Sequence, residues 1–416
     1  MKEIGDNNFT ITVVGVGYVG QPLINEFAKT KKVFAYDIDN DKIKTLSKNN
    51  KNCNIVYTYN DKCIGKSDAI IVTVPTPVYD NNRPNLEFVI EACRTIGYNF
   101  KKNSLIIFES SYYPGVTENI CIPLLEKYSG LKNNVDFFVG YSPERINPSD
   151  NLHTINSVTK VISAQNNFVL DQVEKLYSLI SNVSLYRASC IKVAELSKII
   201  ENSQRDLNIA FVNEVSQLCH LMKISTIDVL ETAKTKWNFV DVLPGLVGGH
   251  CIGIDPYYLI DLGNKYGYNM NIVKQARKTN ENIPLFIVNS LNEMVADIKN
   301  NNNIKVGILG YSYKANSDDV RNTKVDIIYR ELKKQNYDCR ISDYMLFDKN
   351  TYFNNYEKLQ DLDILIIAVP HDKYRSMNKE KIMSYFNKKC SKKIILDLYS
   401  IYKDYKFESD VIYWSL

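Results

Sequence analysis

The stretch that begins at residue 245 places a nucleophile in a glycine-rich loop. It reads Gly-Leu-Val-Gly-Gly-His-Cys-Ile-Gly-Ile-Asp-Pro and follows Ser149–Leu243, a segment with neither glycine nor proline. Glycine lets a backbone lie against a ligand, and a thiolate is a strong nucleophile that nearby positive charge favours. The pattern therefore indicates that Cys251 bonds covalently to a substrate. The alternative, a buried and inert cysteine, is our interpretation of most of the other eight.

A long helix predicted in the middle of the chain brings three polar side chains to one face. Lys198, Asn202 and Arg205 stand at positions i, i+4 and i+7 of this helix. An ammonium and an amide one turn apart could stabilise an alkoxide or a tetrahedral oxyanion. A solvated polar stripe is the alternative, and the neighbouring Glu195 and Glu201 favour it.

Near the start of the chain, a glycine-rich turn is typical of a dinucleotide site. The turn ends a strand, opens a helix and has the GxGxxG pattern, formed by Gly15, Val16, Gly17, Tyr18, Val19 and Gly20. The helix N-terminus there offers amide groups and a positive dipole end to phosphates. Asp37 follows the next strand, where a carboxylate accepts from both ribose hydroxyls and repels a 2′-phosphate. The sequence therefore predicts NAD as the cofactor.

Two further segments with hydroxyl groups follow strands in the same region. Thr76 lies within Val74–Pro77, and Ser110 and Ser111 follow another strand. Ligands of open α/β sheets bind at the carboxyl edge, so these hydroxyls are candidate cofactor contacts. A hydroxyl at a strand end is equally typical of a turn or a cap, and the sequence leaves both interpretations open.

The elements that must position these residues alternate in type. Strand candidates in the first part are Phe9–Val14, Val33–Tyr36, Ala69–Val74, Ser104–Phe108, Val135–Val139 and Val158–Ile162, with helix candidates Gln21–Lys29 and Leu86–Asn99 between them. This rhythm predicts an α/β fold with a doubly wound parallel sheet. The central helix, Ser189–Ile224, would span about 54 Å. That is too long for one small domain, so we interpret the helix as a spine between two.

A second, smaller α/β domain is predicted after the polar run Lys299–Asn303. Its strand candidates are Ile304–Leu309, Arg340–Ser342, Ile364–Val369 and Lys393–Leu398. We therefore expect three domains. They are an N-terminal NAD-binding domain over 1–188, a central helical domain over 189–299 and a C-terminal domain over 300–416.

The composition narrows the class of function. The 416 residues include 51 basic and 47 acidic side chains, and the net charge of +4 gives no argument for a nucleic acid or a membrane as partner. Nine cysteines without a Cys-x-x-Cys pair and four dispersed histidines have no zinc spacing, so we expect neither a metal site nor a disulfide framework. The start is polar and no apolar run could cross a bilayer, which predicts a reducing cytoplasm.

In this order and spacing, the motifs resemble the UDP-glucose/GDP-mannose dehydrogenase family over nearly the whole chain. The resemblance rests on the glycine turn with Tyr18-Val19, Val74–Pro77, Ser142–Glu144, the Lys198/Asn202 helix, Gly248–Cys251 with Asp255, and Lys314 followed by Asp319–Arg321. It implies two Rossmann-like domains joined by a helical middle that carries a homodimer interface. It also implies NAD-dependent, four-electron oxidation of a nucleotide sugar at C6, from alcohol to carboxylate, through a thiohemiacetal and a thioester at Cys251.

The resemblance implies roles for individual residues. Cys251 would be the nucleophile, with Lys198 and Asn202 stabilising oxyanions. Asp255 would organise water or protons, and Glu144 would assist hydrolysis. Cofactor contacts beyond the glycine turn would be Asp37, Lys42, Thr76, Ser111 and Arg321. Substrate contacts would be Glu144, Arg145, Lys198, Asn202, Arg205, Gly248, Gly249, His250, Tyr313 and Lys314, with Lys314 at the nucleotide phosphates.

Three stretches point to one branch of this family. Residues 202–208, 236–239 and 250–259 resemble the branch that oxidises UDP-N-acetylglucosamine or UDP-N-acetylgalactosamine, for surface polysaccharide synthesis. The guanidinium of Arg205 could donate to an acetamido carbonyl. The UDP-glucose members usually read Cys-Phe-Pro-Lys-Asp where this chain has Cys-Ile-Gly-Ile-Asp. They also carry a glutamate at the position of Pro148 and a threonine at that of Ser111.

Three other functions compete with this one. A UDP-glucose or GDP-mannose 6-dehydrogenase would use the same chemistry on another sugar. A non-catalytic NAD-binding sensor would not need the Cys251, Lys198, Asn202 and Asp255 set. A two-electron hydroxyacid dehydrogenase would need no cysteine.

Overall fold

The structure is a computed structural model, and the chain in it forms two compact units. The described residues are 1–145, 154–296, 304–346, 359–388, 390 and 392–416. Unit 1 consists of Met1–Glu201 and Tyr257–Asn269, and unit 2 of Asn202–Pro256 and Met270–Leu416. The predicted linker over 299–303 and Pro148 lie outside the described residues. The division into three domains remains a prediction.

Unit 1 is built on a sheet of eight strands. They are β1 (Thr10–Val14), β2 (Lys32–Tyr36), β3 (Ile55–Thr58), β4 (Ala69–Val72), β5 (Leu105–Phe108), β6 (Phe138–Tyr141), β7 (Lys160–Ala164) and β8 (Leu185–Arg187). The order is β3-β2-β1-β4-β5-β6-β7-β8, and all neighbours are parallel except β6 and β7. The uniformly apolar, buried β4 and β5 are typical of central parallel strands covered on both faces.

Helices cover this sheet and their apolar faces form its core. They are α1 (Gly20–Phe27), α2 (Asn40–Asn49), α3 (Glu87–Asn99), α4 (Ile122–Ser129) and α5 (Asn167–Tyr177). In α1, Leu23, Ile24 and Phe27 are buried in the same apolar cluster as the strand residues Ile11 and Val13. The spacing of three and four residues keeps these side chains on one face of the helix. The doubly wound α/β arrangement predicted from the sequence is confirmed.

The predicted long helix is also present. It is α6 (Ile191–Met222), and its 32 residues give a length of about 48 Å. Three more helices follow, α7 (Thr226–Lys234), α8 (Asp255–Lys265) and α9 (Asn271–Ala296). Within the described parts of the chain, no helix combines the length and the apolar character that crossing a bilayer requires.

Unit 2 contains a second, smaller α/β sheet. Its strands are β9 (Lys305–Leu309), β10 (Asp338–Ser342), β11 (Ile364–Ile367), β12 (Lys393–Asp397) and β13 (Val411–Ser415), and its helices α10 (Val325–Lys334), α11 (Asp372–Arg375) and α12 (Lys379–Met383). The order β10-β9-β11-β12-β13 is parallel throughout. The first strand therefore lies between the second and the third, which creates a switch point where ligands of such sheets bind.

Three strands were not predicted from the sequence, and each lies at the edge of a sheet. β3, β8 and β13 have mostly half-buried or exposed side chains. Since an edge strand is covered incompletely, its sequence lacks the strong apolar signal of a central strand. The reversed direction of β7 was not predicted either, because the same apolar run fits a strand of either direction.

Candidate active site

The glycine turn after β1 is shaped by a residue that the sequence analysis missed. Gly15 has a φ of +96°, and a Cβ added at Gly20 would collide with the Gly15 carbonyl oxygen. Thr73, directly after β4, donates its hydroxyl to that oxygen at 2.7 Å. The turn thus brings β1 against the first turn of α1 with no room for side chains at these glycines. In dinucleotide sites, backbone amides that follow such a turn at the start of a helix bind the phosphates.

Asp37, after β2, is held next to the same turn. Its carboxylate accepts from the Val16 N–H at 2.8 Å and from the Lys42 ammonium at 2.8 Å. Burial acts to raise the pKa of Asp37, but the hydrogen bonds from Lys42, Asp39 and Val16 outweigh it and lower the pKa. The carboxylate is therefore charged at neutral pH, as discrimination against a 2′-phosphate requires.

The hydroxyl groups after β4 and β5 divide between the two interpretations. Ser110 is buried and donates to the Val74 carbonyl at 2.6 Å, so it stabilises the loop. Thr76 and Ser111 are half-buried at the carboxyl edge of the sheet and stay candidates for cofactor contact.

Glu144 and Arg145 follow β6 at the same edge. Glu144 is buried, and its N–H donates to the Glu109 carbonyl at 3.4 Å. Arg145 pairs with Glu201 at 2.8 Å and donates to the Thr159 carbonyl at 3.0 Å. The guanidinium predicted to contact substrate is therefore committed to α6 and to the chain before β7.

Behind Glu144 lies a buried charge cluster that the sequence did not reveal. The Glu109 carboxylate binds the ammonium of Lys160 at 2.7 Å and also accepts from the Tyr177 hydroxyl. Burial raises the pKa of Glu109, and the negative charge of Glu144 raises it further, whereas Lys160 lowers it. Lys160 is the first residue of β7 and so supplies a positive charge near two carboxylates.

Two charged side chains in the first half of α6 are buried. Lys198 is buried, and Glu195 accepts from the N–H groups of Gly115 at 2.6 Å and Thr117 at 2.9 Å. Burial raises the pKa of Glu195 to about 7 despite these hydrogen bonds. The alternative of a solvated stripe is therefore wrong for Lys198 and Asn202, which are both buried, whereas Arg205 is exposed.

In unit 2, two of the predicted catalytic residues are bonded to each other. The Asn202 amide donates to the Asp255 carboxylate at 2.5 Å, and both side chains are buried. Asp255 is the first residue of α8, and its N–H and that of Ile254 bond to the Cys251 carbonyl. Cys251 therefore lies in the turn that leads into the N-terminus of α8, where the helix dipole favours negative charge.

Cys251 differs from most of the other cysteines in its accessibility. It is half-buried, whereas five others are buried, namely Cys63, Cys93, Cys121, Cys219 and Cys339. Burial raises the pKa of Cys63 to about 11 and that of Cys339 to about 12, so these thiols are inert at neutral pH. The prediction that most of the other cysteines are buried is confirmed.

The glycines before Cys251 are required by packing within unit 2. A Cβ at Gly248 would lie 2.7 Å from the Asn322 carbonyl oxygen, and one at Gly249 would lie 2.6 Å from the Tyr313 ring. Gly249 also has a φ of +78°. The backbone of the cysteine loop thus lies against the segment after β9, whereas its glycine content predicts that it lies against a ligand.

The segment after β9 carries the remaining predicted residues. Burial, together with the charges of Asp319 and Cys251, raises the pKa of Tyr313 to about 12. His250 Nδ1 is 3.6 Å from the Asp319 carboxylate, which Arg321 also binds. Lys314 is half-buried. Unit 2 therefore gathers His250, Cys251, Tyr313 and Asp319 around one loop.

Each unit brings together part of the predicted set. Unit 1 holds the glycine turn, Asp37, Lys42, Thr76, Ser111, Glu144, Arg145 and Lys198, and unit 2 holds Asn202, Arg205, Gly248, Gly249, His250, Cys251, Asp255, Tyr313, Lys314 and Arg321. Within the described ranges, no group of three or more histidine, cysteine or acidic side chains is arranged to hold a metal ion.

Comparison with known proteins gives a consistent result. Models of the UDP-glucose/GDP-mannose dehydrogenase family match residues 9–181 (NAD binding domain), 192–282 (central domain) and 307–404 (UDP binding domain). Protein CapL of Staphylococcus aureus is 41% identical over 394 residues, which are 90% of this chain and 93% of that protein. The UDP-N-acetyl-D-glucosamine 6-dehydrogenase of Pseudomonas aeruginosa is 39% identical over 393 residues, 89% and 93% of the two chains.

A solved structure extends this result to the fold. The UDP-D-ManNAc dehydrogenase of Pyrococcus horikoshii superimposes on this chain with a TM-score of 0.87 at 27% identity. The superposition covers 98% of this chain and 99% of that one.

Proposed function

Because the chain belongs to the UDP-glucose/GDP-mannose dehydrogenase family and is an NAD-dependent nucleotide-sugar dehydrogenase, we propose that it oxidises the C6 alcohol of a UDP-N-acetylhexosamine to a carboxylate. The sugar is N-acetylglucosamine or N-acetylgalactosamine. The relative from Pseudomonas aeruginosa, named for UDP-N-acetyl-D-glucosamine, supports this choice. The observation that carries the chemistry is the half-buried Cys251 in the turn before α8, next to the buried Asn202–Asp255 pair.

The cysteine makes the second half of the oxidation possible. An aldehyde has no hydride to give up until a nucleophile adds to its carbonyl, so the Cys251 thiolate adds to C6 and forms a thiohemiacetal. Loss of the C6 hydride and of the hydroxyl proton turns this adduct into a thioester, and water cleaves the thioester to the carboxylate and the free thiol. Two NAD molecules, bound one after the other at the glycine turn, would each accept one hydride.

The other residues act on the charges that form during these steps. Lys198 and Asn202, one turn apart on α6, would stabilise the oxyanion at C6. Asp255, held by Asn202, would orient water or move a proton, and Glu144 would assist hydrolysis of the thioester. Tyr313 and Lys314 follow the first strand of the UDP binding domain and would contact the nucleotide, with Lys314 at the phosphates.

A homodimer is part of the proposal. Unit 2 exposes large apolar side chains on α6, among them Phe211, Leu218 and Leu221, and Trp237 in the segment after α7 is 88% exposed. Isolated exposed apolar residues are ordinary, but several on one helix and its continuation support a protein interface. A monomeric mass in solution at micromolar concentration would contradict this part of the proposal.

One assay separates the proposed substrate from its rivals. Purified protein and NAD are supplied with UDP-N-acetylglucosamine, UDP-N-acetylgalactosamine, UDP-N-acetylmannosamine, UDP-glucose or GDP-mannose, and NADH is counted per sugar. We expect two NADH per carboxylate, with one of the first two sugars turned over fastest. Faster turnover of UDP-glucose or the mannosamine would overturn the substrate, and one NADH per sugar would overturn the thioester. A sensor would turn over none of them.

The role of Cys251 has a matched control within the chain. Cys251→Ala should abolish formation of the acid, whereas Cys190→Ala, which removes an exposed cysteine, should leave it unchanged. Mass spectrometry of a Glu144→Gln variant mixed with substrate should show a nucleotide sugar attached at Cys251. Full turnover by Cys251→Ala would remove the thiol from the reaction.

A further inference from the structure

The backbone on the N-terminal side of Cys251 is held at two points by side chains from elsewhere in unit 2. One point is Gly245, where the glycine loop begins, and the other is Gly249, two residues before the cysteine. A continuous network of hydrogen bonds and ion pairs connects the two points. None of the residues in this network belongs to the predicted catalytic set.

The first point is held by Asn213 on α6. Its amide oxygen accepts from the Gly245 N–H at 2.9 Å, and its amide nitrogen donates to the Gly245 carbonyl at 3.1 Å. The same nitrogen donates to Asn280 on α9 at 2.8 Å. Both asparagines are fully buried, so their geometry leaves Gly245 little freedom to move.

The second point is held by Asn322, which comes directly after Arg321 in the segment that follows β9. Its amide donates to the Gly249 carbonyl at 3.1 Å, and its amide oxygen accepts from the ammonium of Lys324 at 3.1 Å. Lys324 is buried and pairs with Glu281 on α9 at 2.7 Å. The charge pair therefore fixes the orientation of an otherwise exposed asparagine.

One turn of α9 connects the two points. Asn280 donates to the carboxylate of Asp206 at 2.7 Å, and Arg277 binds both Asp206 and Glu281. Asp206 and Arg277 are buried. The network therefore contains two negative side chains, Asp206 and Glu281, and two positive ones, Arg277 and Lys324. Removing one of these charges leaves its partner unpaired.

We propose that Lys324, Glu281 and Arg277 are positioning residues that set the place of the Cys251 thiol by holding the backbone at Gly249 and Gly245. The proposal rests on the proposed function, because it gives the position of the thiol a role in catalysis. A displacement of the reacting atom by about 1 Å can cost a hundredfold in rate. Loss of the Lys324 charge should therefore slow the cysteine-dependent steps and leave the binding of NAD unchanged.

The test compares Lys324→Met with Lys324→Arg and with Lys403→Met. Methionine keeps the apolar stem without the charge, arginine restores the charge, and Lys403 pairs with Glu231 at an exposed site of the same unit. The rate of oxidation of the sugar aldehyde, KM for NAD and the rate of Cys251 alkylation by iodoacetamide are measured on folded protein. We expect Lys324→Met to slow aldehyde oxidation at least about tenfold and to change the alkylation rate.

Lys324→Arg should restore most of both rates, and Lys403→Met should match the wild type. Wild-type alkylation and oxidation by folded Lys324→Met would overturn the proposal. If that variant fails to fold, Asn322→Gly takes its place, because glycine keeps the left-handed backbone at Asn322 (φ +52°) and removes only the amide. Alkylation does not require turnover, so altered alkylation combined with full turnover by Cys251→Ala would refute the proposed function and keep the positioning role.

Discussion

The first strands of the two units end in turns that share one design. Gly15 follows β1 with a φ of +96°, and Gly310 follows β9 with a φ of +91°. In each unit an aspartate comes directly after the next strand and accepts the backbone N–H of the residue after the glycine. Asp37 binds the Val16 N–H at 2.8 Å, and Asp343 binds the Tyr311 N–H at 2.7 Å.

What surrounds the two carboxylates differs. The side chain of Asp37 is 13% exposed and pairs with the partly exposed Lys42. That of Asp343 is fully buried, accepts also from the N–H groups of Ser312 and Met345, and lies 3.2 Å from His371 Nε2. One turn design thus leaves the carboxylate partly exposed in unit 1, where it is predicted to bind a ribose, and buries it among protein groups in unit 2.

The largest difference is expected when each aspartate is replaced by alanine in a separate variant and the free energy of unfolding is measured. Asp343→Ala leaves buried N–H groups unpaired and should lower the free energy of unfolding by about 3–5 kcal/mol. Asp37→Ala leaves the partly exposed Lys42 and a single backbone N–H without this partner, and it should cost less, about 1–2 kcal/mol. Urea titration of the two variants measures both quantities. Equal losses would mean that burial does not distinguish the sites.

The pH dependence of stability should have opposite signs at two buried carboxylates, one in each unit. Burial raises the pKa of Glu195 from 4.5 to about 7. The folded state therefore holds this proton more tightly, and stability is lost as the pH rises through that range. Between pH 4.5 and pH 8, the free energy of unfolding of the wild type should therefore fall by about 3 kcal/mol relative to that of Glu195→Gln.

At Asp343, burial acts to raise the pKa, but His371 and the N–H donors outweigh it and lower the pKa. Its contribution to stability is therefore complete above the unfolded-state pKa and is lost as the pH falls below about 4. The stability difference between wild type and Asp343→Ala should shrink there. Unfolding titrations between pH 3 and 8 measure both effects, and parallel curves for either variant and the wild type would contradict that assignment.

The preference for NAD over NADP should depend on the aspartate of unit 1, Asp37. Asp37→Ala should lower the preference for NAD over NADP by about tenfold or more, because a like charge no longer faces the 2′-phosphate. The comparison of kcat/KM with the two cofactors measures the preference. Asp41→Ala, which removes an exposed carboxylate in the first turn of α2, is the control and should leave the preference unchanged. An unaltered ratio in Asp37→Ala would refute the role of Asp37.

Among the residues of the candidate cofactor site, Lys42 should show the smallest effect. Its pair with Asp37 is partly exposed, so Lys42→Met should cost at most about 1 kcal/mol of stability. Lys44→Met removes a more exposed partner of Asp41 and should cost less still. A loss of several kcal/mol at Lys42 would show that the pair in unit 1 is as essential as the carboxylate in unit 2.

The sequence predicted the turn of unit 1 but not that of unit 2. The GxGxxG pattern and the distance to Asp37 are local signals, and together they indicate a dinucleotide site without knowledge of the tertiary structure. After β9 the chain reads Gly-Tyr-Ser-Tyr, which matches no such pattern. The partner His371 lies 28 residues beyond Asp343, so only the folded sheet brings them together.

The same distinction applies to the candidate active site. Cys251, Lys198, Asn202 and Asp255 are predicted to be catalytic from residue type, spacing and resemblance. Thr73, Glu109 and Asn213 were missed, because a threonine, a glutamate or an asparagine in isolation carries no sign of what it will bind. Their roles depend on tertiary contacts, which neither periodicity nor composition encodes.

The reversed direction of β7 has a consequence for the distribution of charge. In a parallel arrangement, the first residue of this strand would lie at the amino edge of the sheet, about 15 Å from the edge where β5 and β6 end. Because β7 runs antiparallel to β6, its first residue, Lys160, arrives at the carboxyl edge and reaches Glu109. The reversed strand thus places a positive side chain at the carboxyl edge of the sheet, where the parallel strand β5 is followed by a glutamate. No further helix, bound ion or longer loop is needed to neutralise that carboxylate.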